Sequence, residues 1–110
     1  MFMNLDYKPA IRLKLYDHLK EQNGEAAQVE KAREELEEVQ DLLEIMSNNL
    51  DPRLDVAGFF DTDLPGEIAD VLIMCEQLAR IYSMEESVRV QFQYKINRQA
   101  DRSGFDMSET

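Results

Sequence analysis

Two short acidic motifs carry the residue types that bind divalent cations. Glu35 and Glu38 form an E-x-x-E motif, and after 28 intervening residues Glu67 and Asp70 form an E-x-x-D motif. Residues three apart on a helix are neighbours on its surface, so each motif presents two carboxylates together. Carboxylate oxygens suit Mg²⁺ or Mn²⁺, which are hard cations that prefer oxygen ligands. The sequence therefore predicts a metal site if the two motifs lie on neighbouring helices.

The apolar neighbours of these acids distinguish them from the other acidic residues. Glu35 and Glu38 lie on the flank of an apolar stripe, in line with Leu42 and Ile45, whereas most other acids of that segment point away from it. Asp70 is the only charged residue in the run IADVLIMC. A helix that is apolar on nearly all sides is a buried one. We therefore expect these carboxylates to be partly buried and to need a partner.

A basic segment near the carboxyl end is a candidate for anion binding. Residues 80–102 contain five bases and three acids, whereas residues 21–51 contain two bases and ten acids. Lys95, Arg98 and Arg102 lie on or beside the apolar face of this segment. Bases placed there can pair with the acids, hold phosphate oxygens, or extend to solvent, and the sequence leaves these alternatives open.

Four helices are expected to position these residues. Pro9 suits the first turn of a helix that Gly24 ends, and Ser83 with Glu86 forms a capping-box pattern at the start of the last helix. The predicted helices span residues 9–23, 25–48, 65–82 and 83–102. A long loop is predicted over 48–66 and a frayed tail over 103–110.

Each predicted helix has an apolar stripe that we expect to form the core. The stripes are Ile11, Leu15 and Leu19 in the first helix; Val29, Ala32, Leu36, Val39, Leu43 and Met46 in the second; Ile68, Leu72, Cys75, Ala79 and Tyr82 in the third; and Met84, Val88, Phe92 and Ile96 in the fourth. No segment has the two-residue period of a strand. The predicted fold is all-α, a single four-helix domain over residues 1–110. The Met74 and Ile81 flank of the third helix lacks an obvious partner, which predicts at least a dimer.

Length and composition restrict the class of protein. The chain has 110 residues and a formal net charge of −11, which disfavours a nucleic-acid polymer or an anionic membrane as partner. Its longest uncharged apolar run, VLIMC, is far too short to span a bilayer. The amino-terminal segment has charges where a signal peptide needs an apolar region, and Cys75 alone cannot form an internal disulfide. We therefore expect a cytoplasmic protein.

Together these motifs resemble those of the MazG-like nucleoside triphosphate pyrophosphohydrolases, which belong to the all-α NTP pyrophosphatase superfamily. The resemblance is carried by EELEE at 34–38, EIADVLIMCEQL at 67–78 and YKINRQADR at 94–102. The approach NGEAAQVEKAREELEE looks like that of phage-type members. The family pattern is E-E-x-x-E followed by E-x-x-D, and the similarity extends over about residues 20–102.

The resemblance implies a function and a set of site residues. It implies Mg²⁺-dependent hydrolysis of a nucleoside triphosphate to the monophosphate and pyrophosphate, by a homodimer or homotetramer of helical protomers. The metal ligands it implies are Glu35, Glu38, Glu67 and Asp70. Glu34 would orient water, so that Glu34, Glu35 and Glu38 form the catalytic set. The phosphate contacts it implies are Lys31, Lys95, Arg98 and Arg102.

Three alternative interpretations differ in the features of the sequence that they require. A di-iron bundle needs Glu-x-x-His pairs, and the only histidine, His18, has Leu15 and Glu21 at its i±3 positions, so we reject it. A non-catalytic acidic interaction protein would expose its acids broadly and would not need apolar neighbours for them. A member of the same family acting on a modified or alarmone nucleotide has no distinguishing feature in the sequence.

Overall fold

The computed structural model describes residues 6–48 and 58–108, which form four α-helices and one short π-helical turn. The helices are α1 (Pro9–Asn23), α2 (Glu25–Ser47), α3 (Leu64–Ile81) and α4 (Glu85–Ser103). The π-helical turn Phe59–Asp63 leads directly into α3. The described part of the chain contains no strand, so the all-α fold class is confirmed.

The helix boundaries follow local chemistry except at the start of α4. Pro9 opens α1 as its first residue, and Gly24 separates α1 from α2 with φ 84° and ψ 157°. The capping box predicted at Ser83 is wrong, because Ser83 has φ 54° and lies in the turn after α3. There the backbone N–H of Met84 donates to the carbonyl oxygen of Ala79 at 2.7 Å. Helix α4 therefore begins at Glu85 without a side-chain cap.

The loop and tail predictions are only partly within the described residues. Part of the predicted loop, residues 49–57, lies outside them, and residues 59–63 form the π-helical turn rather than loop. Beyond α4, Gly104 has φ 74°, and the N–H of Phe105 donates to the Ala100 carbonyl at 2.9 Å. The hydroxyl of Ser108 donates to Asp106 at 2.6 Å. The segment after α4 thus has its own hydrogen bonds as far as Ser108.

Helix α3 is the central element, since α1, α2, α4 and the π-helical turn all contact it. Ion pairs attach α1 to α3. The Arg12 guanidinium and the Tyr16 hydroxyl donate to the Glu76 carboxylate at 2.6 and 2.7 Å, and Arg80 pairs with Asp17 at 2.9 Å. Helix α2 contacts α3 most extensively and runs antiparallel to it, with its amino end against the carboxyl end of α3. None of the helices in the described ranges combines the length and apolar character that a membrane span requires.

Most of the predicted core stripes are exposed within one chain. The buried apolar residues are Tyr16, Ala32, Ile45, Phe59, Ala79, Ile81 and Ala100. The prediction of a core position is wrong, for the single chain, at Ile11, Leu15, Val29, Leu36, Leu43, Ile68, Cys75, Tyr82, Met84, Val88, Phe92 and Ile96. The reason is the open arrangement of the helices. The radius of gyration is 17.0 Å, whereas a compact domain of this size has about 13 Å.

Candidate metal centre

The buried residues of α2 and α3 include polar side chains as well as apolar ones. At one end of the contact between these helices the amide of Gln77, which is 1% exposed, donates to the side-chain oxygen of Gln28. Gln28 in turn donates to the carbonyl of Leu19 at 3.4 Å, and this hydrogen bond connects α2 to the carboxyl-terminal part of α1. Glu35 lies seven residues after Gln28 in α2, and Asp70 lies seven residues before Gln77 in α3. Each acidic motif therefore borders the interface with one residue, since Glu35 is buried and Glu67 is half-buried. The expected burial of Glu38 and Asp70 is wrong, because both are exposed.

Three carboxylates from the two motifs converge where α2 packs against α3. One oxygen from each of Glu35, Glu38 and Glu67 lies within 4.8 Å of the corresponding oxygens of the other two. Glu35 is buried, Glu67 is half-buried and Glu38 is exposed, so the cluster extends from the helix interface to the surface. The antiparallel packing of α2 on α3 brings the two motifs together across the 28 residues that separate them.

Two of these carboxylates have buried oxygens without a hydrogen-bond partner. One oxygen of Glu35 accepts a contact of 2.9 Å from the Lys31 ammonium. The other oxygen of Glu35, and one oxygen of Glu67, are buried and unpartnered. A buried carboxylate oxygen left unpaired is costly, because it has lost its hydration without gaining a donor. A cation between the two helices would supply the missing partner for both.

The pKa shifts of the residues in and around the cluster also favour a bound cation. A hydrogen bond shared with Glu67, together with the charge of Glu35, raises the pKa of Glu38. Partial burial of the carboxyl group and the charges of Glu35 and Glu67 raise the pKa of Asp70. The hydrogen bond from Lys31 to Glu35 raises the pKa of Lys31. Negative charge is therefore in excess here, and a single ammonium does not neutralise it.

The predicted site residues fall into two groups by location. Glu35, Glu38 and Glu67 form the cluster, Asp70 is close enough to share a hydrogen bond with Glu35, and Lys31 pairs with Glu35. Glu34 is exposed and lies outside the cluster. The remaining predicted bases, Lys95, Arg98 and Arg102, are exposed on α4. Among the described elements α4 contacts only α3, so one chain does not bring these bases to the acids, and their role stays a prediction.

Sequence reasoning missed the two glutamines of the interface. A spacing rule could have found them, since Gln28 precedes Glu35 by seven residues and Gln77 follows Asp70 by seven. Residues seven apart lie on the same helix face. Their buried amide pair joins α2 to α3 in the same interface that the acidic motifs border.

The donor set fits a hard divalent cation. Carboxylate oxygens from two helices, two of them buried and unpartnered, match the oxygen-only coordination that Mg²⁺ and Mn²⁺ prefer. The exposed side of the cluster at Glu38 leaves room for the water ligands that Mg²⁺ keeps. A thiol- or imidazole-preferring metal does not fit, because Cys75 and His18 are not part of the cluster.

Comparisons with known proteins identify no relative. No protein-family model, curated protein sequence or solved structure matches this chain.

Proposed function

We propose that this protein binds a divalent cation between α2 and α3 and hydrolyses a nucleoside triphosphate to the monophosphate and pyrophosphate. The observation that carries the proposal is the convergence of Glu35, Glu38 and Glu67 with two unpartnered buried oxygens. The choice of a triphosphate substrate rests on the resemblance of the two acidic motifs to those of the MazG-like enzymes. Nucleoside triphosphates are metabolites of the cytoplasm, where we expect the protein to act.

The residues of the chain have distinct roles in this proposal. Glu35, Glu38, Glu67 and Asp70 would hold Mg²⁺, with Mn²⁺ as a substitute. The ion would neutralise phosphate charge and lower the pKa of a bound water. Glu34, on the exposed side of α2, would orient the attacking water.

The basic residues of the chain would act on the phosphates rather than on the metal. Lys31 stands beside Glu35 and would turn its ammonium to a phosphate oxygen once the cation balances the cluster. Lys95, Arg98 and Arg102 would hold phosphates only if a second chain brings α4 to the site. Charged contacts of this kind favour the transition state as charge develops on the leaving pyrophosphate.

Assembly into a homodimer or homotetramer is part of the proposal. The largest exposed apolar side chains of the helices include Ile11, Leu36 and Phe92, each more than half exposed in one chain. Contiguous apolar surface on a helical protein marks a protein–protein interface. The small buried core of the chain is consistent with a fold completed by further copies.

The test is a panel of nucleotides incubated with Mg²⁺ and assayed separately for pyrophosphate and orthophosphate. The panel includes the common ribo- and deoxyribonucleoside triphosphates, modified nucleotides and an alarmone. We expect monophosphate and pyrophosphate from at least one of them. Glu38→Gln should abolish most turnover, whereas Glu37→Gln, which changes an exposed acid of the same helix paired with Arg33, should retain it. No turnover of any nucleotide, or equal loss in both variants, would contradict the proposal.

A non-catalytic acidic interaction protein is the second candidate. The exposed acids of α2, such as Glu30, Glu37 and Glu44, favour it. The buried position of Glu35 does not, because a surface that imitates a polyanion gains nothing from an interior carboxylate. Cation binding without turnover of any nucleotide would favour this candidate.

A further inference from the structure

Lys31 places a positive charge against the acidic cluster of Glu35, Glu38 and Glu67. Its ammonium lies 2.9 Å from one oxygen of Glu35, one helical turn further along α2, and its attraction extends to Asp70 on α3. The Glu35 side chain is 8% exposed, and its second oxygen is buried without a hydrogen-bond partner. Lys31 therefore offsets part of the penalty for burying the charge of Glu35.

The two partners of this ion pair differ in their freedom to move. Glu35 is buried where α2 packs against α3, whereas the Lys31 side chain is 54% exposed. A lysine ammonium is strongly hydrated and lies at the end of a flexible four-carbon chain. Lys31 can therefore leave Glu35 and become solvated without any change in the packing of the helices, while Glu35 has to stay in place.

A divalent cation and this ammonium would compete for Glu35. One oxygen from each of Glu35, Glu38 and Glu67 lies within 4.8 Å of the others, so an ion bound among them would take Glu35 as a ligand. The Lys31 ammonium contacts the same carboxylate. Two positive charges held on one buried carboxylate repel each other more strongly than they would in water, because the surrounding dielectric constant is lower. Binding of the ion therefore favours departure of the ammonium.

We propose that Lys31 is a built-in counterion of the cation site: it stabilises the fold while the site holds no metal, and a divalent cation displaces it from Glu35. The inference rests on the cation site of the proposed function and on none of its catalytic steps. Because the cation must break the pair between Lys31 and Glu35, the lysine lowers the affinity of the site for metal. A lysine that only orients Glu35 would instead raise that affinity.

The first test measures the binding of Mn²⁺ alone by isothermal titration calorimetry. Lys31→Met removes the ammonium, and Arg33→Met is the matched control, because Arg33 is 60% exposed and pairs with Glu30 and Glu37 outside the cluster. Lys31→Met should bind Mn²⁺ about three- to fivefold more tightly than the wild type, the upper range for a partly exposed ion pair. Arg33→Met should bind like the wild type. Equal or weaker binding by Lys31→Met would overturn the inference and leave the cation site standing, whereas no binding by any of the three proteins would overturn the site itself.

The second test follows the thermal melting of the same proteins. Without metal, Lys31→Met should melt at a lower temperature than Arg33→Met, because it leaves the buried carboxylate of Glu35 without a counterion. Saturating Mn²⁺ should reduce this difference, since the ion replaces the missing ammonium and binds only the folded state. In a Glu35→Gln background, Lys31→Met should have little further effect on the melting temperature without metal. A difference that Mn²⁺ does not change, or one that persists in the Glu35→Gln background, would show that Lys31 supports the fold without competing with a cation.

Discussion

Glu76 is an acceptor on α3 that connects it to α1. Burial alone would raise its pKa, but hydrogen bonds from Arg12 and Tyr16 outweigh burial and lower the pKa below the usual value of 4.5. Burial and the bond to Glu76 also raise the pKa of the Tyr16 phenol to about 12. The ionised carboxylate is thus the form that the fold stabilises.

This arrangement predicts a pH-dependent contribution to stability. A carboxyl group with a lowered pKa stabilises the fold above its unfolded-state pKa and loses that contribution as the pH falls through the folded-state pKa. Glu76→Gln should therefore lower the free energy of unfolding by about 1–2 kcal/mol at pH 7, allowing for partial exposure. Urea titration at pH 7 and at pH 3 should show this difference shrinking at the lower pH. A difference that is equal at both values would exclude an ionic role for Glu76.

Of the four proposed ligands, Asp70 and Glu38 are the ones whose substitution should disturb the fold least, since both are exposed residues. Asp70→Asn and Glu38→Gln each remove one negative oxygen ligand while keeping side-chain size. Each should reduce Mg²⁺ affinity and abolish most turnover, with helicity by circular dichroism nearly unchanged. Full activity in either variant would remove that residue from the metal site.

The connection between α1 and α2 depends on the backbone of one glycine. Gly24, with φ 84° and ψ 157°, occupies a conformation that is open almost only to glycine. A Cβ there would meet no atom within 4 Å, so any cost of substitution is conformational and not steric. The angle between the two helices, and with it the contact of Gln28 with Leu19, depends on this residue.

Gly24→Ala should therefore destabilise the protein by about 1–3 kcal/mol. Gly66→Ala is the matched control, because Gly66 lies in the first turns of α3, has no positive φ and also has open space around its Cα. Alanine has the higher helix propensity, so this control should be neutral or more stable by up to about 1 kcal/mol. Thermal melting of both variants checks the pair. Equal melting temperatures would show that the α1–α2 turn carries no strain.

The elements of the fold were predictable to different degrees. Proline and glycine are strong local determinants, so Pro9 and Gly24 predict the start and end of α1 correctly. Ser83 and Glu86 have the composition of a capping box, but the tight turn after α3 takes Ser83 into a left-handed conformation that excludes it from the cap. A local pattern cannot reveal such a turn, which depends on the end of the preceding helix.

For the whole molecule, sequence patterns identify apolar faces but not what covers them. Leu36 and Phe92 have core-like spacing, yet both are more than half exposed in one chain. Glu35 and Gln77, which a polarity scale would place outside, are buried. Helical spacing alone does not tell a face that packs within the chain from one that packs against another copy. Among the four acids of the two motifs, apolar neighbours predict burial correctly at Glu35 and Glu67 and wrongly at Glu38 and Asp70, which are exposed.

The net charge of −11 is unevenly distributed over the molecule. It is concentrated on α2, which has eight acids and two bases, whereas α4 has three acids and four bases. A field of this kind draws divalent cations toward α2, and it weakens with ionic strength because exposed charges are screened. The apparent affinity for Mg²⁺ should therefore fall measurably between 20 mM and 300 mM NaCl. An affinity independent of salt would show that the exposed acids of α2 do not contribute to cation binding.

Thermal melting of the wild type and of Glu67→Gln, each with and without Mg²⁺, tests the cation site most directly. Glu67 has a buried oxygen without a partner, and the hydrogen bond that it shares with Glu38, together with its charge, raises the pKa of Glu38. Its charge also adds to the burial and the charge of Glu35 that raise the pKa of Asp70. Without metal, Glu67→Gln should melt at a higher temperature than the wild type, because it relieves this repulsion. With saturating Mg²⁺ the wild type should gain stability as the ion binds only the folded state, and the variant should gain little. Equal gains in both proteins, or none in the wild type, would contradict a cation site between α2 and α3.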